Sequence, residues 1–357
     1  MGHEETTDTK RTVYLACDVG GTNTSCALVE RRNGRFRILT RYRYESQRLD
    51  TFEQALTGVM ESISASSEPS PQAVCISGAG PIRDNVCHLT NVSWRIDGNT
   101  IAETINLPVR VINDFTAISY GIPLLDTDDA SSIACLPHPS GSVPVSDGVV
   151  RAVVGAGTGL GVGYVVDHHR EYYALASEGG HAAFAPYDEL SRELYEFVSR
   201  RERSVPGAEV FVSGRGIANI LDFFHASHRI AGGSALADVT SGNTSDPARR
   251  VSEAARAGDS AAGEIMTVFV KNYARVASAV ALHFLPLGGL YLAGGIVTKN
   301  LDWFTREARF MHLFLENYRD NIQAILHRVP VYVVLDYEVS LYGAAYSAFL
   351  ATKEDLS

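Results

Sequence analysis

The chain has 357 residues, of which 45% are hydrophobic and 20% charged, and these proportions predict a soluble globular protein of about two domains. Its net charge of -10, without runs of Lys or Arg, argues against nucleic acid as a partner. The five cysteines show no CxxC spacing and lie mostly in apolar runs, which predicts reduced thiols, no structural zinc and a cytoplasmic location.

No membrane association is expected from the sequence. The start of the chain is polar, and no later stretch approaches the ~20 apolar residues of a membrane span. Met1, Gly2 and Thr6 match the template for N-myristoylation. Glu4 and Glu5 lie beside that site, and no basic patch supplies a second membrane signal, so a lipid anchor is not expected.

The first glycine-rich motif is DVGGTN, Asp18 to Asn23, which lies between two apolar runs at 13–17 and 26–29. Such a turn brings backbone amides against phosphate oxygens. Because a second β-type run follows it instead of a helix, the pattern predicts a hairpin tip and not a Walker or Rossmann loop. The loop has no Lys, so a metal would neutralise the phosphates, held by Asp18 directly or through water. An ordinary hairpin turn is the alternative.

The following segments predict a strand, a crossover helix and a strand. Residues 36–44 could form a further strand, and apolar residues at helical spacing predict a helix over 51–64. Residues 73–77 form a short apolar run that ends in the loop Gly78–Pro81, a composition suited to close backbone approach. Together they predict a βαβ unit and a sheet with parallel members.

Two polar residues follow the next predicted strand. Residues 108–112 run straight into Asn113 and Asp114, and an apolar helix is predicted at 115–120. In open α/β sheets ligands collect beyond the carboxyl ends of strands, so both side chains are candidate site residues. Asp114 could instead cap the helix, although capping does not exclude catalysis.

The opening pattern then recurs. Residues 126–147 are rich in Ser, Pro and Asp and predict a loop. After them, an apolar run at 149–154, the glycine turn GAGTGLG at 155–161 and a second apolar run at 162–166 repeat the plan of the first hairpin. Two such hairpins predict a duplicated fold whose halves face one nucleotide.

Three further polar residues are candidates for binding. Glu178 and His181 lie in SEGGH, and Glu209 precedes an apolar run, predicted as a strand, that ends in SGRG at 213–216. The glycines between Glu178 and His181 argue against a shared helix face, so the logic of HExxH zinc sites fails. Two carboxylates and an imidazole suit the neutral hydroxyls of a sugar. An exposed polar turn is the alternative for Glu178 and His181.

The last third of the chain predicts one more site. A strand at 289–293 runs into Gly294 and Gly295, where glycines would let an adenine ring lie against the backbone or would simply form a turn. The other predicted elements are a polar loop at 228–249, helices at 268–285, 300–315 and 341–350, and a strand at 331–335.

The ordered set of motifs resembles the bacterial-type ATP-dependent glucokinase family of the hexokinase and actin-like ATPase superfamily. The set comprises DVGGTN, VINDFTAIS, GAGTGLG, SEGGHAAFAP, EVFVSGRG and LYLAGGI, within 13–350. The resemblance implies an α/β, two-domain actin-like ATPase (ribonuclease H-like) fold with a mixed sheet in each domain and a cleft between them. It places a small domain at 11–122 plus 338–357, closed by the returning C-terminal helix, and a large domain at 123–337.

Site residues are implied by the same resemblance. Asp114 corresponds to the catalytic base and Asn113 to its neighbouring sugar ligand, while Gly78, Glu178, His181 and Glu209 match positions around the sugar. The positions implied for the nucleotide are Asp18, Gly20, Gly21, Thr22, Asn23, Gly155, Gly157, Thr158, Gly159, Gly294 and Gly295. Asp18 would also hold Mg²⁺, directly or through water.

The implied activity is transfer of the γ-phosphate of ATP to the 6-hydroxyl of glucose, with ATP and Mg²⁺ as cofactors and a homodimer as the assembly. A broader hexokinase, another sugar kinase such as a fructokinase, and a sugar-responsive regulator are the alternatives. The regulator would need a DNA-binding segment, for which the few polar residues before the first strand are too short. Related ROK kinases usually carry a cysteine-rich zinc motif after their Gly-His segment. In this chain Ala182, Ala183 and Phe184 follow His181, and no cysteine occurs beyond Cys135, so that zinc site cannot form. This difference favours the glucokinase group.

Overall fold

The structure is a computed structural model that describes residues 11–90, 92–169 and 171–354. Gly2, the residue considered for myristoylation, lies outside these described residues. The chain divides into two compact units. The first unit comprises Met1–Asp126, Tyr172–Ala174 and Asp336–Ser357, and the second comprises Thr127–Glu171 and Leu175–Leu335.

Strands predominate in the first half of the chain and helices in the second half. The strands are β1 Thr12–Val19, β2 Asn23–Arg32, β3 Arg35–Glu45, β4 Val74–Gly78, β5 Ile82–Arg83, β6 Val86–His88, β7 Arg95–Asp97, β8 Val109–Asn113, β9 Ile133–Cys135, β10 Val150–Ala156, β11 Leu160–His168, β12 Glu171–Leu175, β13 Leu290–Ala293 and β14 Val331–Val334. The α-helices are α1 Phe52–Ala65, α2 Gly98–Ile105, α3 Asp114–Gly121, α4 Glu189–Glu202, α5 Gly214–Ala226, α6 Pro247–Arg256, α7 Ser260–Phe284, α8 Gly295–Lys299, α9 Leu301–Thr305, α10 Arg309–Leu315, α11 Asp320–Leu326 and α12 Val339–Glu354.

The first unit is built on a mixed sheet with the strand order β3-β2-β1-β4-β8. The hairpin β1/β2 is antiparallel, and β1, β4 and β8 are parallel, as the predicted βαβ unit requires. The central strands are apolar because helices cover both faces of the sheet. Helix α1 buries one face on one side, and α3 and α12 pack on the other.

Helices α3 and α12 approach each other unusually closely because both carry glycine at the contact. A Cβ at Gly343 would overlap the carbonyl oxygen of Ala117, and one at Gly121 would overlap that of Val339. Without side chains at these two positions, the backbones come together and fix the position of the start of α12 within the unit.

The second unit contains a mixed sheet with the strand order β12-β11-β10-β13-β14-β9. Strands β10 and β11 form the second predicted hairpin, and β10, β13 and β14 are parallel. A single large hydrophobic cluster joins this sheet to the helices, with α7 at its centre. The two-hairpin plan predicted from the sequence is therefore confirmed, one hairpin in each unit.

The prediction that no stretch approaches the length of a membrane span is wrong for helix α7. It is the one helix in residues 11–90, 92–169 and 171–354 that is long and apolar enough to cross a membrane, with a mean hydropathy of 1.2. However, 72% of the apolar window is buried inside the protein. We interpret α7 as a core helix, since its apolar side chains already pack against the sheet and neighbouring helices.

Three other predictions differ from the structure. The predicted loop at 126–147 contains β9, a short edge strand that pairs with β14. Helix α7 begins at Ser260, eight residues before the predicted start, because Asp259 caps it by accepting from the N–H of Ala262. The predicted helix at 300–315 is broken into α9 and α10, where Glu307 and Ala308 have φ of 54° and 49°.

Candidate active site

In the first unit, the carboxyl ends of three parallel strands bring candidate residues side by side. Asp18 of β1 is in register with Ser77 of β4, and Gly78 of β4 is in register with Asn113 of β8. Asp114 follows directly as the first residue of α3. The strand-end rule used on the sequence thus places these groups along one edge of one sheet.

The DVGGTN turn is held in place by a serine that the sequence did not reveal. The N–H of Gly20 donates to the carbonyl of Asn23 at 3.0 Å, which closes the turn. Ser46, which follows β3, donates through its hydroxyl to the carbonyl of Gly20 at 2.7 Å and through its N–H to that of Thr22 at 2.9 Å. Thr22 is exposed and Gly21 half-buried at the tip, so the turn is fixed at its base and accessible at its tip.

The carboxylate of Asp18 is held by two buried serine hydroxyls. Ser77 donates to Oδ1 at 3.0 Å, and Ser340 of α12 donates to Oδ2 at 2.7 Å. Burial raises the pKa of Asp18, while the hydrogen bonds from Ser340 and Ser77 act in the opposite direction by stabilising the charged form. Neither serine stood out in the sequence, because each contacts Asp18 only in the folded chain.

The structure separates the roles that were left open for Asn113 and Asp114. Asn113 is the N-cap of α3, and its Oδ1 accepts from the N–H of Phe115 at 2.9 Å. Its Nδ2 donates to the carbonyl of Gly80 at 3.2 Å. Asp114 is the first helical residue, and its Oδ1 also accepts from Phe115 N–H at 2.9 Å. Capping is therefore the role of Asn113, which leaves Asp114 as a carboxylate that the helix does not need as its N-cap.

The electrostatic environment of Asp114 suits a proton acceptor. Burial, and secondarily the negative charge of Asp18, raise its pKa from 3.8 to about 6, against the lowering effect of hydrogen bonds from the start of α3. A carboxylate with such a pKa is still ionised at neutral pH, yet it is a stronger base than an ordinary carboxylate. Perturbed carboxylates of this kind are concentrated at functional sites.

Gly78 has a structural explanation that the sequence did not suggest. A Cβ at this position would lie 2.8 Å from Cδ2 of Leu89 and 3.3 Å from Sγ of Cys87. The glycine therefore accommodates side chains of its own unit. Its implied contact with the sugar stays a prediction that this packing does not require.

In the second unit, the GAGTGLG turn forms the tip of the hairpin β10/β11. Gly155 pairs with Gly161, and the N–H of Gly157 donates to the carbonyl of Gly159 at 2.9 Å. The carbonyl of Gly157 accepts from the N–H of Gly214, which opens α5, at 2.8 Å. Thr158 is exposed at the tip, and a Cβ on Gly157 would meet nothing within 4 Å. The turn is thus anchored to a helix start but open on one side.

Glu209 lies against this turn and not before a strand. The predicted strand is wrong: Ala208–Val210 is a 3-10 turn, and α5 follows it. The apolar side chains that suggested a strand are instead buried in the core of the unit. Oε2 of Glu209 accepts from the N–H of Leu160 at 3.0 Å, so this carboxylate supports the GAGTGLG hairpin directly.

Glu178 and His181 occupy one short turn next to the same hairpin. Residues Gly179–His181 form a 3-10 turn, and Nε2 of His181 lies 3.8 Å from Oε2 of Glu178. Their side chains are 65% and 88% exposed, respectively. A Cβ at Gly180 would overlap the carbonyl oxygen of Leu160, so glycine is required for the turn to pack against β11. The two polar side chains are therefore presented by a fixed backbone.

Gly294 and Gly295 follow β13 at its carboxyl end, beside β10. Gly294 has φ of 99°, a conformation that favours glycine, and a Cβ there would overlap the carbonyl oxygen of Ala156. Gly295 opens the short helix α8 and is less constrained. The glycine at 294 is thus explained by its packing against β10 of the same unit, and the contact of Gly294 and Gly295 with adenine stays a prediction.

The chemistry of Asp18 suits a magnesium ion that arrives with a nucleotide. Among residues 11–90, 92–169 and 171–354, no group of three or more His, Cys, Asp or Glu side chains could hold an ion. Magnesium in phosphoryl-transfer sites is commonly bound by one or two carboxylates together with phosphate oxygens and water. Asp18, with one hydrogen bond to each carboxylate oxygen, provides such a ligand.

These features define the class of the protein. Each unit has a mixed sheet that contains a hairpin of two strands joined by a glycine turn. The first unit also has, directly after a strand, a carboxylate whose pKa is raised. This is the actin-like ATPase fold of the sugar kinases. The crystal structure of a glucokinase from an Antarctic psychrotroph matches it with a TM-score of 0.80 and 26% identity, covering 95% of this chain and 99% of that one.

The chain belongs to the glucokinase family. The family model described as Glucokinase matches residues 15–351. A curated glucokinase from Nostoc sp. is 32% identical over 350 residues, covering 94% of this chain and 99% of the relative. One from Synechocystis sp. is 34% identical over 356 residues, covering 94% and 97%. The family resemblance inferred from the ordered motifs is confirmed.

Proposed function

We propose that this chain transfers the γ-phosphate of ATP to the 6-hydroxyl of glucose and releases glucose 6-phosphate and ADP. Membership of the glucokinase family, shared over nearly the whole chain, supports this activity. The observation that carries the proposal is Asp114, a carboxylate directly after β8 whose pKa is raised to about 6.

The first unit provides the proton acceptor. Phosphoryl transfer depends mainly on positioning and charge stabilisation, so the protein has to align the acceptor hydroxyl and activate it. Asp114 accepts the proton of the 6-hydroxyl as the oxygen attacks phosphorus. Asn113, held by its bonds to Phe115 and Gly80, contacts the sugar beside it.

The second unit provides sugar ligands. Glu178 and Glu209 accept hydrogen bonds from the ring hydroxyls, and His181 donates to or accepts from one, with Gly78 of the first unit assigned to the same sugar. Support for the grouping comes from the contacts of Glu209 and Gly180 with Leu160, which gather the three side chains around one hairpin.

The two glycine hairpins bind the nucleotide. Backbone amides of the first turn, at Gly20, Gly21, Thr22 and Asn23, and of the second, at Gly155, Gly157, Thr158 and Gly159, contact the phosphates, while Gly294 and Gly295 contact the adenosine. Bound Mg²⁺ would supply charge neutralisation of the phosphates, and Asp18 would hold it directly or through water. We further propose a cytoplasmic homodimer with functional domains at 11–122 plus 338–357 and at 123–337.

The substrate is tested by a coupled assay for ADP release with Mg-ATP. Glucose, mannose, fructose, N-acetylglucosamine and no sugar are offered in parallel. We expect turnover with glucose because the chain belongs to the glucokinase family. A site that hydrogen-bonds hydroxyls can discriminate by ~10⁴-fold when a partner is missing, so turnover of the other sugars should be much lower. Turnover on another sugar would keep the mechanism but contradict glucose as the substrate. No turnover on any sugar, with ATP still bound, would contradict kinase activity and favour a regulatory protein.

A further inference from the structure

Both carboxylate oxygens of Asp18 are bound by hydroxyls from different parts of the first unit. Ser77 belongs to β4, the strand next to Asp18, and donates to Oδ1 at 3.0 Å. Ser340 belongs to α12, which lies 322 positions away along the chain, and donates to Oδ2 at 2.7 Å. Ser77 is fully buried and Ser340 is 6% exposed, so water does not readily replace either hydroxyl. Together they define the plane of the carboxylate.

The two serines do not contribute equally. The hydroxyl of Ser77 also lies 3.1 Å from the carbonyl oxygen of Cys17. A hydroxyl has one proton, so Ser77 divides it between two acceptors. Ser340 gives the shorter bond to Asp18, and this bond is charge-assisted. Ser340 is therefore the principal anchor of the Oδ2 side of the carboxylate.

The position of Ser340 is fixed by backbone packing. It is the second residue of α12, directly after Val339, whose carbonyl oxygen packs against Gly121 of α3. One turn further on, Gly343 packs against the carbonyl oxygen of Ala117. These contacts leave the start of α12 little freedom to shift, so the hydroxyl is delivered to Asp18 as part of a rigid helix pair.

We propose that Ser340 is a positioning residue for the phosphoryl transfer: its hydroxyl holds the Asp18 carboxylate in the orientation that receives the magnesium ion of Mg-ATP. This inference rests on the proposed function, because it takes Asp18 as the magnesium-binding side chain. Groups that orient a metal ligand typically change metal affinity or activity by ~10- to 100-fold when removed. Ser340 itself needs no contact with nucleotide or sugar.

The test is calorimetric titration of the full chain with ATP, once with excess Mg²⁺ and once with EDTA. For Ser340→Ala we expect the Kd of Mg-ATP to rise ~10-fold or more, with the Kd of ATP in EDTA unchanged. Ser340→Thr, which keeps the hydroxyl, should restore most of the magnesium-dependent affinity, whereas the similarly shaped Ser340→Val should not. In steady-state assays the KM for Mg-ATP should rise while the KM for glucose stays close to the wild-type value.

A control variant separates positioning from packing. Ser347 is a second buried serine of α12, two turns further along, and Ser347→Ala should leave the magnesium dependence of ATP binding unchanged. The proposal is overturned if Ser340→Ala binds Mg-ATP as the wild type does, if it weakens ATP equally with Mg²⁺ and with EDTA, or if wild-type binding does not respond to Mg²⁺. By contrast, a wild-type chain that binds Mg-ATP with this serine dependence but phosphorylates no sugar would overturn the proposed function alone.

Discussion

Replacement of Asp114 by Asn should lower turnover strongly and at the same time stabilise the fold. The pKa of Asp114 is raised from 3.8 to about 6, chiefly by burial and then by the charge of Asp18. That rise corresponds to ~3 kcal/mol against the ionised carboxylate in the folded protein. Asn carries no charge, and its amide oxygen can still accept from the N–H of Phe115. Asp114→Asn therefore removes the unfavourable charge while keeping the local hydrogen bond.

The sign of the stability change follows from proton linkage. Because the folded pKa of Asp114 lies above its unfolded value, the unfolded chain releases this proton first as the pH rises. The contribution of Asp114 to the stability of the wild type therefore declines from about pH 4 to about pH 6, and its full penalty is present at neutral pH. We expect Asp114→Asn to have a Tm a few degrees above the wild type at pH 7.5, with the difference vanishing below pH 4.

The catalytic consequence has the opposite sign. A general base contributes typically ~10²- to 10⁴-fold, so kcat should fall by at least that factor while the affinity for ATP is largely kept. In the wild type, kcat/KM for glucose should decline on the acid side with an apparent pKa near the value of about 6 expected for Asp114. A coupled ADP assay and a thermal melt of the same preparations measure both effects.

Asp320→Asn is the matched control, since Asp320 is also the first residue of a helix, α11, but is exposed. It loses the same favourable interaction with a helix start, worth ~0.3 to 1 kcal/mol, without relief of burial, so its Tm should not rise and its activity should be normal. Turnover of Asp114→Asn within ~10-fold of the wild type would rule out Asp114 as the general base. A loss of activity accompanied by a lower Tm would indicate misfolding and would equally remove the assignment.

Four further changes probe the second unit and the packing of the first. Gly157→Ala adds a Cβ in open space, so the Tm should hold while the KM for ATP rises if phosphate approaches that turn. Glu209→Gln keeps an acceptor for the N–H of Leu160, so it should raise the KM for glucose more than that for ATP. Gly343→Ala should lower the Tm through overlap with α3. Burial and the adjacent His327 lower the pKa of His138, so wild-type Tm should fall below about pH 6.5, and less so in His138→Asn.

For Gly157→Ala, an unchanged KM for ATP would argue against backbone contact with phosphate at that turn, and Gly232→Ala, also in open space, controls for the loss of a glycine. If Glu209→Gln affects only ATP, the carboxylate serves the hairpin alone. An unchanged Tm in Gly343→Ala would show that α3 and α12 can separate. An equal loss of Tm on acidification in both His138 forms would assign that loss to other groups.

The hairpins were predictable because their signals are local. Apolar runs on both sides of a glycine turn indicate the hairpins β1/β2 and β10/β11, because the conformation of a tight turn depends only on adjacent residues. The strand before SGRG was wrong because three apolar residues in a row have no period to distinguish a strand from a buried turn. These apolar side chains are buried in the core of the second unit, but the backbone that carries them is not extended.

The roles given to the site residues stay predictions, although the structure changes the physical argument for several of them. The N-cap of α3 is Asn113 and not, as the alternative interpretation proposed, Asp114. Because the two residues are adjacent and both types favour N-caps, the sequence alone could not decide between them. Packing within each unit requires glycine at 78 and at 180. The side chain of Leu89 occupies the space of a Cβ at Gly78, and the carbonyl of Leu160 occupies that space at Gly180. The presence of glycine at these two positions is therefore explained without a ligand.

The residues that hold the candidate site groups in place could not be predicted from local sequence patterns. Ser46 holds the first glycine turn from beyond β3, and Ser340 holds Asp18 from the far end of the chain. The chemistry at β1 then depends on α12 packing against α3, where Gly121 and Gly343 permit the approach. A substitution at either glycine should therefore weaken magnesium-dependent ATP binding as well as stability, because the helix pair that sets the fold of the first unit also positions its carboxylate.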